Sequence, residues 1–147
     1  MYIFLDIDGV INRQCQWKKP YSLYEPCFPV LKKIVDQTKG KLILISTWKT
    51  GLAIRENTIQ KAMVSDDNTE QINRLINLLM EYDMYLYGKT SNLLGRTRDR
   101  EIERFLYFNP GQYIILDDDL SIYNKLERVV KIDCTKGLRE ADIKQIR

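Results

Sequence analysis

Residues 4–10 read FLDIDGV, and the same pattern, an apolar run closing on acids or hydroxyls, returns at 41–47 (KLILIST) and 112–119 (QYIILDDD). The hydrophobicity in LILI and YIIL is continuous rather than alternating, as expected of strands covered on both faces in a parallel sheet. Two further runs of strand length lie at 84–88 (MYLYG) and 128–133 (RVVKID). Helical spacing fills the intervals: Val30, Leu31, Ile34 and Val35, stopping at Gly40; Ile72, Leu75, Ile76 and Leu79; and Ile102, Phe105 and Leu106, stopping before NPG. Strand and helix alternate, which predicts an α/β fold, a doubly wound parallel sheet sandwiched by helices in one domain spanning 1–147. Residues 47–71 are polar and weakly periodic, and Ser65, Asp66 or Asp67 is expected to cap the helix that follows.

Composition narrows the chemistry. The chain has 147 residues, enough to bury one sizeable core, with an apolar fraction of 44%, a charged fraction of 29% and a formal charge of +3. The mild charge gives no general case for nucleic-acid binding, and no apolar run reaches the length of a membrane helix. Cys15, Cys27 and Cys134 are odd in number and form no CxxC pair, which suits free thiols in a reducing compartment. With no basic leader ahead of the first strand, a soluble cytoplasmic protein is expected. The chain contains no histidine, which excludes Ser-His-Asp and Cys-His catalysis and His-ligated zinc. Carboxylates, hydroxyls, lysines and arginines remain.

In open α/β sheets the ligand site lies beyond the carboxyl ends of the strands. There the first run carries Asp6 and Asp8, the second Ser46 and Thr47, and the fourth Asp117, Asp118 and Asp119. On an extended strand Asp6 and Asp8 share a face while Ile7 points into the protein. Each acid alone is an ordinary turn former, but several converging on one crevice repel one another unless a cation is bound. A hard cation such as Mg²⁺ suits carboxylates plus substrate phosphate. A carboxylate in such a site can attack phosphorus while its neighbour two residues on serves as acid and then base. Gly9 permits a sharp turn and a close approach of backbone N–H groups to a phosphate.

These residues resemble the motifs of the haloacid dehalogenase superfamily of phosphohydrolases: FLDIDGV the first, LILIST the second, IILDDD the fourth. STWK (46–49), TSNLLGRTRDREI (90–102) and KGLREADIKQI (136–146) are similar to small capless members, including phosphatase-like domains associated with RNA repair. The resemblance implies an Asp6 nucleophile and an Asp8 acid/base. It also implies Mg²⁺ held by the Asp6 side chain, the Asp8 carbonyl and Asp118, with Asp117 as the alternative. Ser46 would bind the phosphoryl oxygens, and Gly9, Thr47, Trp48 and Lys89 would contact substrate. For the third-motif cation Arg98, in RDREI, fits best, with Lys89 and Arg96 as alternatives.

The intervals after the first and second motifs are too small for a cap, so the site is expected to be open. Arg13, Trp17, Lys18, Lys19, Tyr21 and Tyr24, with Lys89, Arg96, Arg98 and Arg100, read either as a phosphate-attracting rim with stacking rings or as ordinary solvated charge. The leading expectation is a Mg²⁺-dependent phosphomonoesterase acting on a phosphorylated substrate, with a nucleotide or nucleic-acid end phosphate in view. The alternatives are a phosphate-accepting receiver and a non-catalytic module binding phosphate or nucleic-acid ends. Oligomeric state is left open.

Overall fold

In the computed structural model, which describes residues 1–13, 22–93, 97–119, 123 and 126–146, all five apolar runs form strands. They are β1 (Tyr2–Leu5), β2 (Lys41–Leu44), β3 (Leu86–Lys89), β4 (Tyr113–Asp117) and β5 (Val129–Lys131). Pairing is parallel throughout, in the order β3-β2-β1-β4-β5. The chain moves outward from β1 through β2 to β3, then returns to the other side of β1. The switch point therefore falls between β1 and β4, where ligands of such sheets bind.

Adjacent residues of a strand face opposite ways, and here both faces are covered. Ile3, Leu5, Leu42, Leu44, Ile114 and Leu116 pack with Phe28, Leu31 and Ile34 of α1 (Cys27–Thr38) and with Ile72, Leu75, Ile76 and Leu79 of α2 (Glu70–Glu81). On the other face Phe4, Ile43, Ile45 and Ile115 pack with Ile102 and Phe105 of α3 (Arg98–Phe108). The Phe105 ring meets the edges of Tyr2 and Phe4 at 5.3 and 5.5 Å, nearly perpendicular to both. A short α4 (Glu140–Ile143) lies near α1. Among the described residues no helix is long and apolar enough to cross a membrane.

Between β2 and α3 the described residues form only a 3-10 turn (Thr47–Gly51), α2 and β3, so no cap is built there. The cap of α2 differs from the expectation. It is Thr69, whose Oγ1 accepts from the Ile72 N–H at 3.3 Å, while Ser65 accepts from Asp67 in a turn of its own. A cap must directly precede the first turn, and the apolar stripe starts only at Ile72. The weakly periodic stretch before it has a backbone task. Asn57, Gln60 and Ala62 donate their N–H groups to the carbonyls of Lys89, Tyr87 and Leu86, lining the outer edge of β3.

Phe105→Ala should destabilise the fold by about 3–5 kcal/mol, whereas Tyr107→Ala, on the same helix with its side 80% exposed, should stay within about 0.5 kcal/mol of the parent. Urea unfolding of the two variants checks this. Equal midpoints would contradict the packing of α3 on the sheet.

Candidate active site

The acids that close the first and fourth runs meet at the switch point. Leu5 ends β1; Asp6 directly follows it, its N–H still donating to the Leu116 carbonyl, whereas Asp8 lies on the turn beyond, and their surroundings differ: Asp6 is 3% exposed, Asp8 exposed. Carboxylate oxygens of Asp6, Asp117 and Asp118 lie within 4.8 Å of one another. Arg98, at the first residue of α3, reaches them from the side. Its Nη1 is 3.2 Å from Asp6 Oδ1 and 2.9 Å from Asp117 Oδ2.

Asp117 is fully engaged. Besides Arg98 it accepts the Tyr123 hydroxyl at 2.6 Å and the Asp119 N–H at 3.0 Å. Asp118 is half-buried against Gly9. Gly9 has φ +82°, and a Cβ there would stand 2.5 Å from Asp118 Oδ2. The glycine is thus required both by the turn and by the approach of β1's turn to the end of β4.

Charge in this pocket is unbalanced. Burial, together with Asp117 and Asp118 and against the pull of Arg98, pushes the Asp6 carboxyl up to about 8. Burial and Asp117 push Asp118 up to about 6. Burial works against the Arg98 charge, but Asp6 and Asp117 outweigh it and hold the guanidinium protonated. With all three carboxyls ionised, one guanidinium would leave two negative charges unopposed, which is why Asp6 and Asp118 hold their protons and why an oxygen-lined pocket of this kind suits a divalent hard cation.

The remaining expected site residues fall into two groups. Ser46 is buried and caps the 3-10 turn, accepting from the Trp48 N–H at 3.2 Å, which leaves its own O–H proton to give. Trp48 aims its indole N–H at Asp8 Oδ2 (3.3 Å), and Thr47 is exposed beside it. Lys89, in contrast, is engaged with the backbone, its ammonium donating to the carbonyls of Lys49 and Leu52. Arg13 lies over the Tyr24 ring, 4.0 Å from its centre, and Arg100 is exposed. Trp17, Lys18, Lys19, Tyr21 and Arg96 lie outside the described residues.

Sequence reading missed two braces. Asn12 Nδ2 donates to Asp8 Oδ1 at 2.9 Å, and its Oδ1 accepts the Gly9 N–H at 2.8 Å, so the amide expected to face a phosphate closes the turn instead. The second brace is Lys49. Its buried ammonium donates to Thr90 Oγ1, Ser91 O and Glu101 Oε1, while Glu101 Oε2 accepts the Leu93 N–H. Glu101 stands one turn beyond Arg98, so this pair ties the 3-10 turn to the start of the helix that carries the site's guanidinium. A signal existed: Glu101 is four residues before Phe105 and shares its inward face.

The chain matches, over residues 2–143, the model of a family described as the HAD domain in Swiss Army Knife RNA repair proteins, and it belongs to that family. No curated protein and no solved structure matches it.

Lys49→Met should cost about 3–5 kcal/mol, because it leaves the Glu101 charge buried and unpaired. The double change Lys49→Met with Glu101→Leu should recover much of that loss. A double-mutant cycle in urea tests the coupling, and strictly additive effects would refute it.

Proposed function

Taking that membership as the premise, we propose that the chain is a Mg²⁺-dependent phosphomonoesterase that works through a phospho-enzyme on Asp6, with the end phosphate of a nucleotide or nucleic acid as its substrate. The observation that carries the reading is Asp6 itself: a buried carboxylate at the end of the central strand, paired with Arg98 and crowded by Asp117 and Asp118. The family description, with its reference to RNA repair, supports the substrate class. An open crevice without a cap among the described residues admits a large substrate.

The Asp6 side chain, the Asp8 carbonyl and Asp118 would hold the ion. Asp118 is preferred to Asp117 because the oxygens of Asp117 already accept from Arg98, Tyr123 and Asp119. When bound, Mg²⁺ supplies the positive charge that offsets the carboxylates and the phosphoryl oxygens. Asp6 is then anionic, as a nucleophile must be. Its Oδ attacks phosphorus, and the bond to the leaving oxygen breaks as that oxygen takes a proton from Asp8. Asp8 next removes a proton from water, whose oxygen attacks the same phosphorus, releasing inorganic phosphate and restoring Asp6. Arg98 and Ser46 offer donors to the phosphoryl oxygens while charge builds on them. Asn12 and Trp48, bonded to the two oxygens of Asp8, orient it for both proton transfers.

Asp6→Asn should lower phosphate release by about three orders of magnitude or more with an unchanged circular dichroism spectrum; a folded variant near parental activity removes Asp6 from the mechanism. The raised Asp6 pKa adds a pH test. A carboxyl moved from 3.8 to about 8 gives stability that is complete below about pH 4 and lost as pH rises through 8. In chelator at pH 8, Asp6→Asn should therefore melt above the parent, and Mg²⁺ should raise the parent's melting temperature more at pH 8 than at pH 5.5. The reverse order in either comparison counts against the crowded-acid account.

Asp118→Ala should weaken the apparent Mg²⁺ affinity more than Asp119→Ala does. Activity titrated against Mg²⁺ decides this, with equal affinities pointing to a different ligand.

A further inference from the structure

Asp8 forms part of the wall of a second feature, a cleft of about 220 Å³ between the 3-10 turn and the start of α2. The other walls are Thr47, Trp48, Thr50, Gly51, Thr69 and Gln71. Among the described residues the lining is rich in hydroxyls and amide and carries no cation, and its one charged group is Asp8. A second phosphate would find a carboxylate there and nothing to pair with, and an apolar group would strand polar walls. Neutral hydroxyls fit, since threonine oxygens, a glutamine amide and a carboxylate can each donate to or accept from them.

Position says which hydroxyls. Asp8 protonates the leaving oxygen in the reaction proposed above, so the body of the leaving group must lie on the Asp8 side of the phosphate. The cleft is the space there. In the end monophosphate of a nucleotide or nucleic acid the atom bearing the leaving oxygen is a sugar carbon, and the base lies farther off. The volume is below the range of pockets that enclose drug-sized ligands, which suits one sugar ring and leaves a base outside.

We propose that this cleft binds the ribose on the leaving side of the scissile phosphate, reading sugar hydroxyls and leaving the base unread. The inference rests on the phosphomonoesterase reading for its orientation, and it adds a binding site and a substrate preference to that reading. Specificity then resides in the 3-10 turn and the first turn of α2, both outside the acid cluster. A site built to hydrogen-bond hydroxyls discriminates against analogues that lack them more strongly than an apolar pocket can.

The test compares kcat and KM for adenosine 3′- and 5′-monophosphate, the same phosphate on a short oligoribonucleotide, the 2′-deoxy counterparts and p-nitrophenyl phosphate. The parent is set beside Thr50→Val with Gln71→Leu, which keeps side-chain size and removes the hydrogen bonds. The expected result is a rise of about ten-fold in KM for the ribose phosphates, with kcat little changed and less than about a two-fold effect on the aryl ester. Whichever of the mononucleotide and oligonucleotide arms has the higher parental kcat/KM identifies the source of the ribose. An equal loss on the aryl ester, or no loss on any substrate, overturns the proposal. Amide shifts on titration with adenosine and with ribose provide a readout that needs no turnover. Shifts at Thr50, Gly51 and Gln71 that vanish in the variant support the cleft even if no phosphate is released from any substrate, an outcome that removes the phosphatase reading alone. Absence of those shifts overturns the cleft whatever the turnover.

Discussion

Like charge crowded into a buried place is unfavourable unless something opposes it, and this fold is arranged around one such place. Asp6, Asp117 and Asp118 converge because β1 and β4 are neighbours in a parallel sheet and end at the same level, with Leu5 opposite Leu116. The Arg98 guanidinium bridges Asp6 and Asp117, and it is placed to do so because it opens α3, whose apolar residues Ile102 and Phe105 anchor it to the sheet. Move that helix by one residue and the acids lose their counter-charge.

The surrounding contacts make sense as means of fixing that geometry from three sides. Asn12 and Gly9 shape the turn after β1 so that Asp6 turns inward and Asp8 outward. Tyr123 and the Asp119 amide hold the carboxylate of Asp117. Lys49 and Glu101 fix the 3-10 turn against the first turn of α3. A buried ion pair is a poor source of net stability, and its value here is registry: it defines where one element sits against another.

The sheet and the acids were legible in the sequence because both depend on short-range pattern. Strands buried on two faces must be continuously apolar, so β1, β2 and β4 announce themselves, and polar residues that end such runs must lie at the rim. Arg98 came from the resemblance, in RDREI opening a helix and with Lys89 and Arg96 as alternatives; the structure sets Arg98 against the acids and Lys89 against backbone carbonyls. The Lys49–Glu101 brace was not, because its partners are 52 residues apart and a lysine looks the same in sequence whether solvated or buried. Asn12 reads as a turn former until its two bonds are seen. The α2 cap was misplaced because Ser65, Asp66 and Asp67 offer the same chemistry as Thr69, and only the onset of the apolar stripe separates them.

The segment along β3 has a consequence beyond the site. An open sheet presents two unpaired edges, each a template for another chain. At β3 the amides of Asn57, Gln60 and Ala62 already occupy the carbonyls an incoming strand would seek, and the register break between Leu42 and Ile43 distorts the ladder there. At the other edge β5 is only Val129–Lys131, too short to seed a ladder, and it ends on a charge. Both edges of a sheet with a continuously apolar centre are thus poor templates for a further strand, and at β3 the residues responsible lie in the stretch whose pattern looked least like structure.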